Sequence, residues 1–290
     1  MGILAGLAAA LAWTVASSIW RSLATSLTAI QLNGLKNVLA CGALLPVLIT
    51  LPWSNQTQAL LLLLVSGGLG ISLGDTFYFA ALRRLGTRRT LTLESLSPVA
   101  AACSGWLAMG ERLSAQAWAG ALVVTVSVMI VAQQQPPDAT RMPDRSRGAQ
   151  LQGLLMAMLA VICGVLGAAI SRSVLLNTEL TPLQSAACRL LGGLLLLLPW
   201  LRGRARCPRP RPHQLRWPRV LVATLLGTVV AIVLQQVVLQ QLPLGIGVTV
   251  LSTAPVMALL VAGAEKDHLD WQGLTASLLA VSGVALAVLS

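Results

Sequence analysis

The chain has 290 residues, of which 56% are hydrophobic and only 10% charged; soluble domains carry roughly a quarter charged residues, so lipid rather than water solvates most of it. A net charge of +11 would suggest nucleic acid in a soluble protein, but here the basic residues fill short breaks between apolar runs and no RNA- or DNA-binding pattern accompanies them. They read as topology signals and contacts to lipid headgroups. The five cysteines show no C-x-x-C spacing and the two histidines fall in loops, which argues against a metal site, a disulfide framework or any cofactor.

Crossing the hydrocarbon core takes about 20 residues of helix. The first apolar run, Gly2 to Trp20, lacks the basic region and cleavage site of a signal peptide and reads as a retained membrane helix. In chain order, ten candidate segments follow near 2–21, 29–51, 58–80, 90–110, 116–133, 152–171, 182–200, 220–241, 246–263 and 271–289. They are too long for strands and lack period-two alternation, so the predicted fold is an all-α membrane protein of ten transmembrane helices.

Residues 134–150 are rich in proline and charge and divide the chain almost equally; residues 201–219 form a second, arginine-rich break. The halves, 1–133 and 151–290, repeat one another. Ile19-Trp-Arg-Ser22 matches Ile170-Ser-Arg-Ser173 at an offset of 151, Thr28-Ala-Ile-Gln31 matches Thr181-Pro-Leu-Gln184 at 153, and Pro98 matches Pro255 at 157. The offset of 153 also places Lys36 on Arg189 and Trp118-Ala-Gly120 on Trp271-Gln-Gly273. Five segments per half is an odd number, so the second half enters the membrane upside down: two inverted five-helix repeats.

Residues 91–121 carry Pro98, Gly110-Glu111-Arg112-Leu113 and Gly120. This pattern resembles the EamA-type repeat of the drug/metabolite transporter superfamily. The second half keeps Pro255, Glu265 and Gly273 but reads Ala264-Glu265-Lys266 where the first has Gly-Glu-Arg. The resemblance covers nearly the whole chain. It implies alternating access and a small-molecule substrate such as an amino acid, another metabolite or a drug.

Four ionisable residues sit well inside apolar segments: Lys36, Asp75, Glu94 and Arg189. Each costs roughly 2.5–3.5 kcal/mol at a helix centre and so faces protein or a water-filled cavity. They either bind and couple or pair with one another to hold helices together. Asp75 and Glu94 are the candidate proton-coupling carboxylates. Burial and a nearby lysine act on a carboxyl's protonation in opposite senses, which suits a group that exchanges a proton during a cycle. Lys36 and Arg189, at matching places in the two repeats, are the candidate substrate cations, with Gln235 and Tyr78 as polar helpers. Arginine stays charged when buried and grips a carboxylate with two parallel hydrogen bonds, which favours an anionic solute. Pro98 and Pro255 remove a backbone donor each and are expected to kink their helices. Trp13 and the pair Gln235–Gln236 are further cavity candidates, although Trp13, like Tyr78, is of a type more often used for packing or at the interface. Glu111 and Glu265 read as architectural, neutralised by their neighbours Arg112 and Lys266.

No P-loop, nucleophile elbow or H-E-x-x-H motif occurs in a suitable context, so an ATP-driven pump or an enzyme is not expected. The residues leave open an exporter of amphiphilic or lipid-like compounds, or a non-transporting intramembrane protein. Membrane lipids are expected partners and nucleic acid is not; a homodimer is open, and the expected location is the plasma membrane. Counting loops, 16 basic residues lie on one side and 2, Arg112 and Arg172, on the other. The positive-inside rule puts the first set in the cytoplasm and both termini outside, opposite to what the resemblance implies.

Overall fold

A computed structural model describes residues 1–22, 29–85, 90, 93–134, 147–202, 216–254, 256–257 and 271–289. The described residues form helices and turns without strands. The helices are α1 (Gly2–Ser22), α2 (Ala29–Ala43), α3 (Leu45–Ile49), α4 (Trp53–Gly67), α5 (Asp75–Leu85), α6 (Ser97–Met109), α7 (Ala115–Gln134), α8 (Arg147–Asn177), α9 (Pro182–Arg202), α10 (Arg216–Thr224), α11 (Ala231–Gln241), α12 (Leu244–Leu251) and α13 (Trp271–Val288). Among the described residues, five helical stretches are long and apolar enough to cross a bilayer: Gly2–Trp20, Trp53–Ala81, Gln150–Asn177, Pro182–Pro199 and Trp217–Gln241. Ala115–Ile130 and Leu278–Val288 are shorter apolar helices.

The surface is inverted relative to a soluble protein. Leu61, Leu62, Val65, Leu107, Leu122 and Leu155 are exposed, whereas Asn33, Asn37, Ser66, Ser171, Arg189 and Gln236 are buried. Apolar side chains outside and polar ones inside fit lipid as the solvent.

Three predicted segments are not single helices. The one near 29–51 breaks at Leu44, with Pro46 at the start of α3, since a proline without an N–H is tolerated only in a first turn. The segment near 90–110 is interrupted by a turn at Ser95–Leu96, and Pro98 stands in the first turn of α6. The segment near 246–263 turns at Ser252–Thr253, the positions 157 residues later. Pro255 itself, with Glu265 and Lys266, lies outside the described residues. Conversely, α8 runs on to Asn177, so Arg172, expected in a loop, lies inside a helix.

Two π-helical segments link α4 to α5 (Gly68–Gly74) and α10 to α11 (Leu225–Val230). Their first residues are also 157 apart, as are Gly70 and Gly227. The packing is reciprocal: the first π segment lies against α8 and α9, the second against α1 and α2. Each half thus inserts its π segment between the first two long helices of the other. Close approach depends on missing side chains: a Cβ on Gly67 would lie 1.8 Å from the carbonyl oxygen of Arg189, and one on Gly192 2.1 Å from that of Leu64. Ser66 Oγ fastens α4 to α8 as well, donating to the Gly167 carbonyl at 2.6 Å and lying 2.8 Å from Ser171 Oγ. At the periphery α7 pairs with α13, where Ser127 Oγ donates to the Ala276 carbonyl at 2.6 Å.

Candidate functional site

On α2, Asn33, Lys36 and Asn37 are spaced three and four apart and share one face. Asn33 Nδ2 donates to the Ile71 carbonyl at 3.0 Å. Ile71 lies in the first π segment, where the widened turn disturbs the regular ladder of backbone bonds, and the amide supplies a donor from another helix. Asn37 Nδ2 donates to the Asn33 carbonyl at 3.0 Å, while its own Oδ1, fully buried, has no partner.

The π segment delivers Asp75 as the first residue of α5, with Tyr78 almost one turn on. Tyr78 meets Phe79 edge-on at 5.5 Å between ring centroids. Across from them α9 presents Arg189, only 3% exposed. Its Nη2 lies over Gly70, 3.2 Å from where a Cβ would be, so glycine there makes room for the guanidinium. Arg189 Nη1 donates to Gln235 Oε1 at 3.3 Å, and its Nε is buried without a partner. One turn back on α9, Ser185 Oγ donates to Gln236 Oε1 at 2.9 Å, and Gln236 Nε2 is likewise unpartnered.

Asp75 is the hub of the charges. It lies in the electrostatic field of both Lys36 and Arg189, Glu94 lies in the field of Asp75, and Tyr78 in that of both carboxylates. Glu94 occupies the end of the helical stretch before the Ser95–Leu96 turn. Lys36, Asp75, Tyr78, Glu94, Arg189 and Gln235, all singled out from sequence, therefore converge. Among the described residues no ion pair within 4.0 Å joins any two of them; the ion pair there is Glu111–Arg172, elsewhere. Asp75, Tyr78 and Glu94 are surrounded by protein yet keep accessible surface. These three side chains are thus partly buried among the helices, whereas Arg189 is almost fully buried.

Trp13 packs against Ala5, Ala9, Val238 and Leu251, the commoner role of a tryptophan there. One expectation changes. Glu111 is neutralised not by Arg112, which is exposed, but by Arg172 from the other half of the chain. Sequence reasoning also passed over Asn33, Asn37 and Ser185; two asparagines four apart beside a lysine in an apolar helix were the available signal. No group of three or more His, Cys, Asp or Glu converges among the described residues.

Charges converging among the helices of a polytopic membrane protein are the arrangement expected of a membrane carrier. The EamA-like transporter family model matches it twice, over residues 1–133 and 151–289, and the chain belongs to that family. A solved structure titled only "Crystal structure of protein" is similar over 99% of this chain and 96% of its own, with a TM-score of 0.78 at 21% identity, a likeness of fold. A search of curated proteins found no significant match.

Proposed function

We propose that this chain is a secondary transporter of the plasma membrane that moves a small solute bearing an anionic group, such as an amino acid or organic acid, by alternating access between two inverted five-helix repeats. The observation that carries the reading is the cluster itself: two cations and two carboxylates, near enough to act on one another and not joined in contact ion pairs. Charges held only for architecture would be expected to pair closely. A solute carboxylate meets Arg189 with help from Lys36, Gln235 and Tyr78 orient it, and Asp75 or Glu94 exchanges the coupling proton. The reciprocal packing of the π segments and the twofold family match support the repeat plan.

The test is uptake by proteoliposomes against a panel of amino acids, organic acids and amphiphiles, with and without an imposed pH gradient. At least one anionic panel member should accumulate with the gradient. Glu94→Gln, beside the α6 turn, should abolish gradient-driven accumulation while sparing equilibrium exchange; if Glu94→Gln and Asp75→Asn each leave pH-driven transport unchanged, proton coupling at this cluster is wrong. Transport of amphiphiles alone would replace the substrate class.

Orientation is tested separately. Among the described residues the face carrying the turns near Leu51, Gly110, Thr178 and Leu242 has Arg112 as its exposed cation. The positive-inside rule then puts that face, not the arginine-rich one, outside. A reporter fused after Ser290 should signal from the exterior, and a cytoplasmic signal would reverse the assignment.

A further inference from the structure

The pair Glu111–Arg172 joins the two halves of the chain, and its surroundings are built around it. Helix α6 ends at Gly110, whose φ of 68° is a left-handed conformation suited to glycine. The Gly110 and Glu111 N–H groups both return to the Gly105 carbonyl. The turn folds the Glu111 carboxylate back onto Gly105, where a Cβ would lie 2.5 Å from Oε2. Both carboxylate oxygens are used: Oε1 accepts from Arg172 Nε, and Oε2 accepts the Leu244 N–H at 2.8 Å. Arg172, 7% exposed, also donates through Nη1 to the Leu239 carbonyl at 2.6 Å. One ion pair thus ties α6 to α8, to the end of α11 and to the start of α12.

The same four elements meet in an apolar cluster that includes Ala101, Val165, Ala168, Leu175, Leu239 and Leu244. Leu239 lies four residues beyond Gln235 on α11, about 6 Å along the helix. The cluster and its ionic cap therefore stand next to the charged site, between it and the membrane face carrying the α6–α7 loop. Opening the site to that face through this contact means parting α6, of the first half, from α8, α11 and α12, of the second.

Building on the transport reading above, we infer that Glu111 and Arg172 form the latch of the gate on this face: closed, they hold the halves together over the apolar cluster, and their separation opens the site to that side. The latch is satisfied only in this arrangement, because the carboxylate also caps Leu244 and the guanidinium also binds Leu239. A charge reversal at both positions would keep the attraction but lose both backbone bonds, so it should not restore the closed state.

The experiment is cysteine accessibility. In a background lacking the natural cysteines, Ala168→Cys reports on the cluster and Ala276→Cys, between α7 and α13, on general loosening. Vesicles are treated from the α6–α7 loop side with a membrane-impermeant maleimide. Glu111→Gln and Arg172→Gln should each speed labelling at position 168 by about tenfold, the population shift expected on losing a charge-assisted hydrogen bond, and leave position 276 unlabelled. The reversal pair Glu111→Arg with Arg172→Glu should label as fast as either single variant. Unchanged labelling at 168, a rise at 276 as well, or restoration by the reversal would each overturn the latch. The transport reading is judged apart from this: uptake by the parent protein with no labelling change refutes the latch alone, and a labelling change in a protein that transports no panel solute refutes the transport reading alone.

Discussion

Arg189→Gln should raise the KM for an anionic solute by about 10- to 150-fold, the equivalent of losing a charge-assisted hydrogen bond of about 1.5–3 kcal/mol. The guanidinium is held ready: Gly70 leaves space beneath Nη2, Gln235 fixes Nη1, and Nε is buried with no partner. A planar fork with an unused donor is the group that a carboxylate would complete. Arg189→Lys keeps the charge without the fork and should fall between the two. The competing role is structural, with Arg189 balancing Asp75 across helices. In that case Arg189→Gln would lower the melting temperature and Asp75→Asn would restore it in the double variant. Measuring KM and melting temperature on the same three proteins separates the roles: restored stability with an unchanged KM ends the anion site.

The site residues were legible because ionisable groups are costly in an apolar segment and stand out without any knowledge of packing. Which of them meet was less so, since helix register and crossing are set by contacts between distant parts of the chain. Glu111 illustrates the difference. Adjacency in sequence suggested Arg112, but the left-handed turn at Gly110 directs the carboxylate back under α6, and its partner is Arg172, 61 residues later. Arg172 looked like the end of a segment because a charge usually marks one; Glu111 and the Leu239 carbonyl together satisfy it inside α8. The π segments had no sequence rule to announce them. In retrospect their trace is Gly70 and Gly227, set at the same offset as Pro98 and Pro255, and the same offset separates the turns at Ser95–Leu96 and Ser252–Thr253. Asn33 and Asn37 were visible as polar residues but drew less notice than the lysine between them, although it is Asn33 that ties α2 to the first π segment.

Gly67→Ala should cost about 3 kcal/mol of stability, at the upper end for overpacking, and reduce transport beyond what the loss of folded protein explains. The added methyl would sit 1.8 Å from the carbonyl oxygen of Arg189, 2.5 Å from its carbonyl carbon and 2.7 Å from its Cα. All three are backbone atoms of α9, so no side-chain rotation relieves the contact and the two helices must move apart. Separation also strains the neighbouring bonds from Ser66 to Gly167 and Ser171, and it displaces the Cα of Arg189 itself. A shift of that kind acts on the site through position: a misplacement of about 1 Å can cost on the order of 100-fold in rate. Gly42→Ala and Gly164→Ala are the controls, since a Cβ at either position meets nothing within 4 Å. Both should fold and transport like the parent, showing that alanine in an apolar helix is harmless where there is room. Gly192→Ala, facing the Leu64 carbonyl oxygen at 2.1 Å across the same crossing, should reproduce the Gly67→Ala loss. If Gly67→Ala melts and transports like Gly42→Ala, the crossing of α4 with α9 is not the tight contact that places Arg189 beside Asp75.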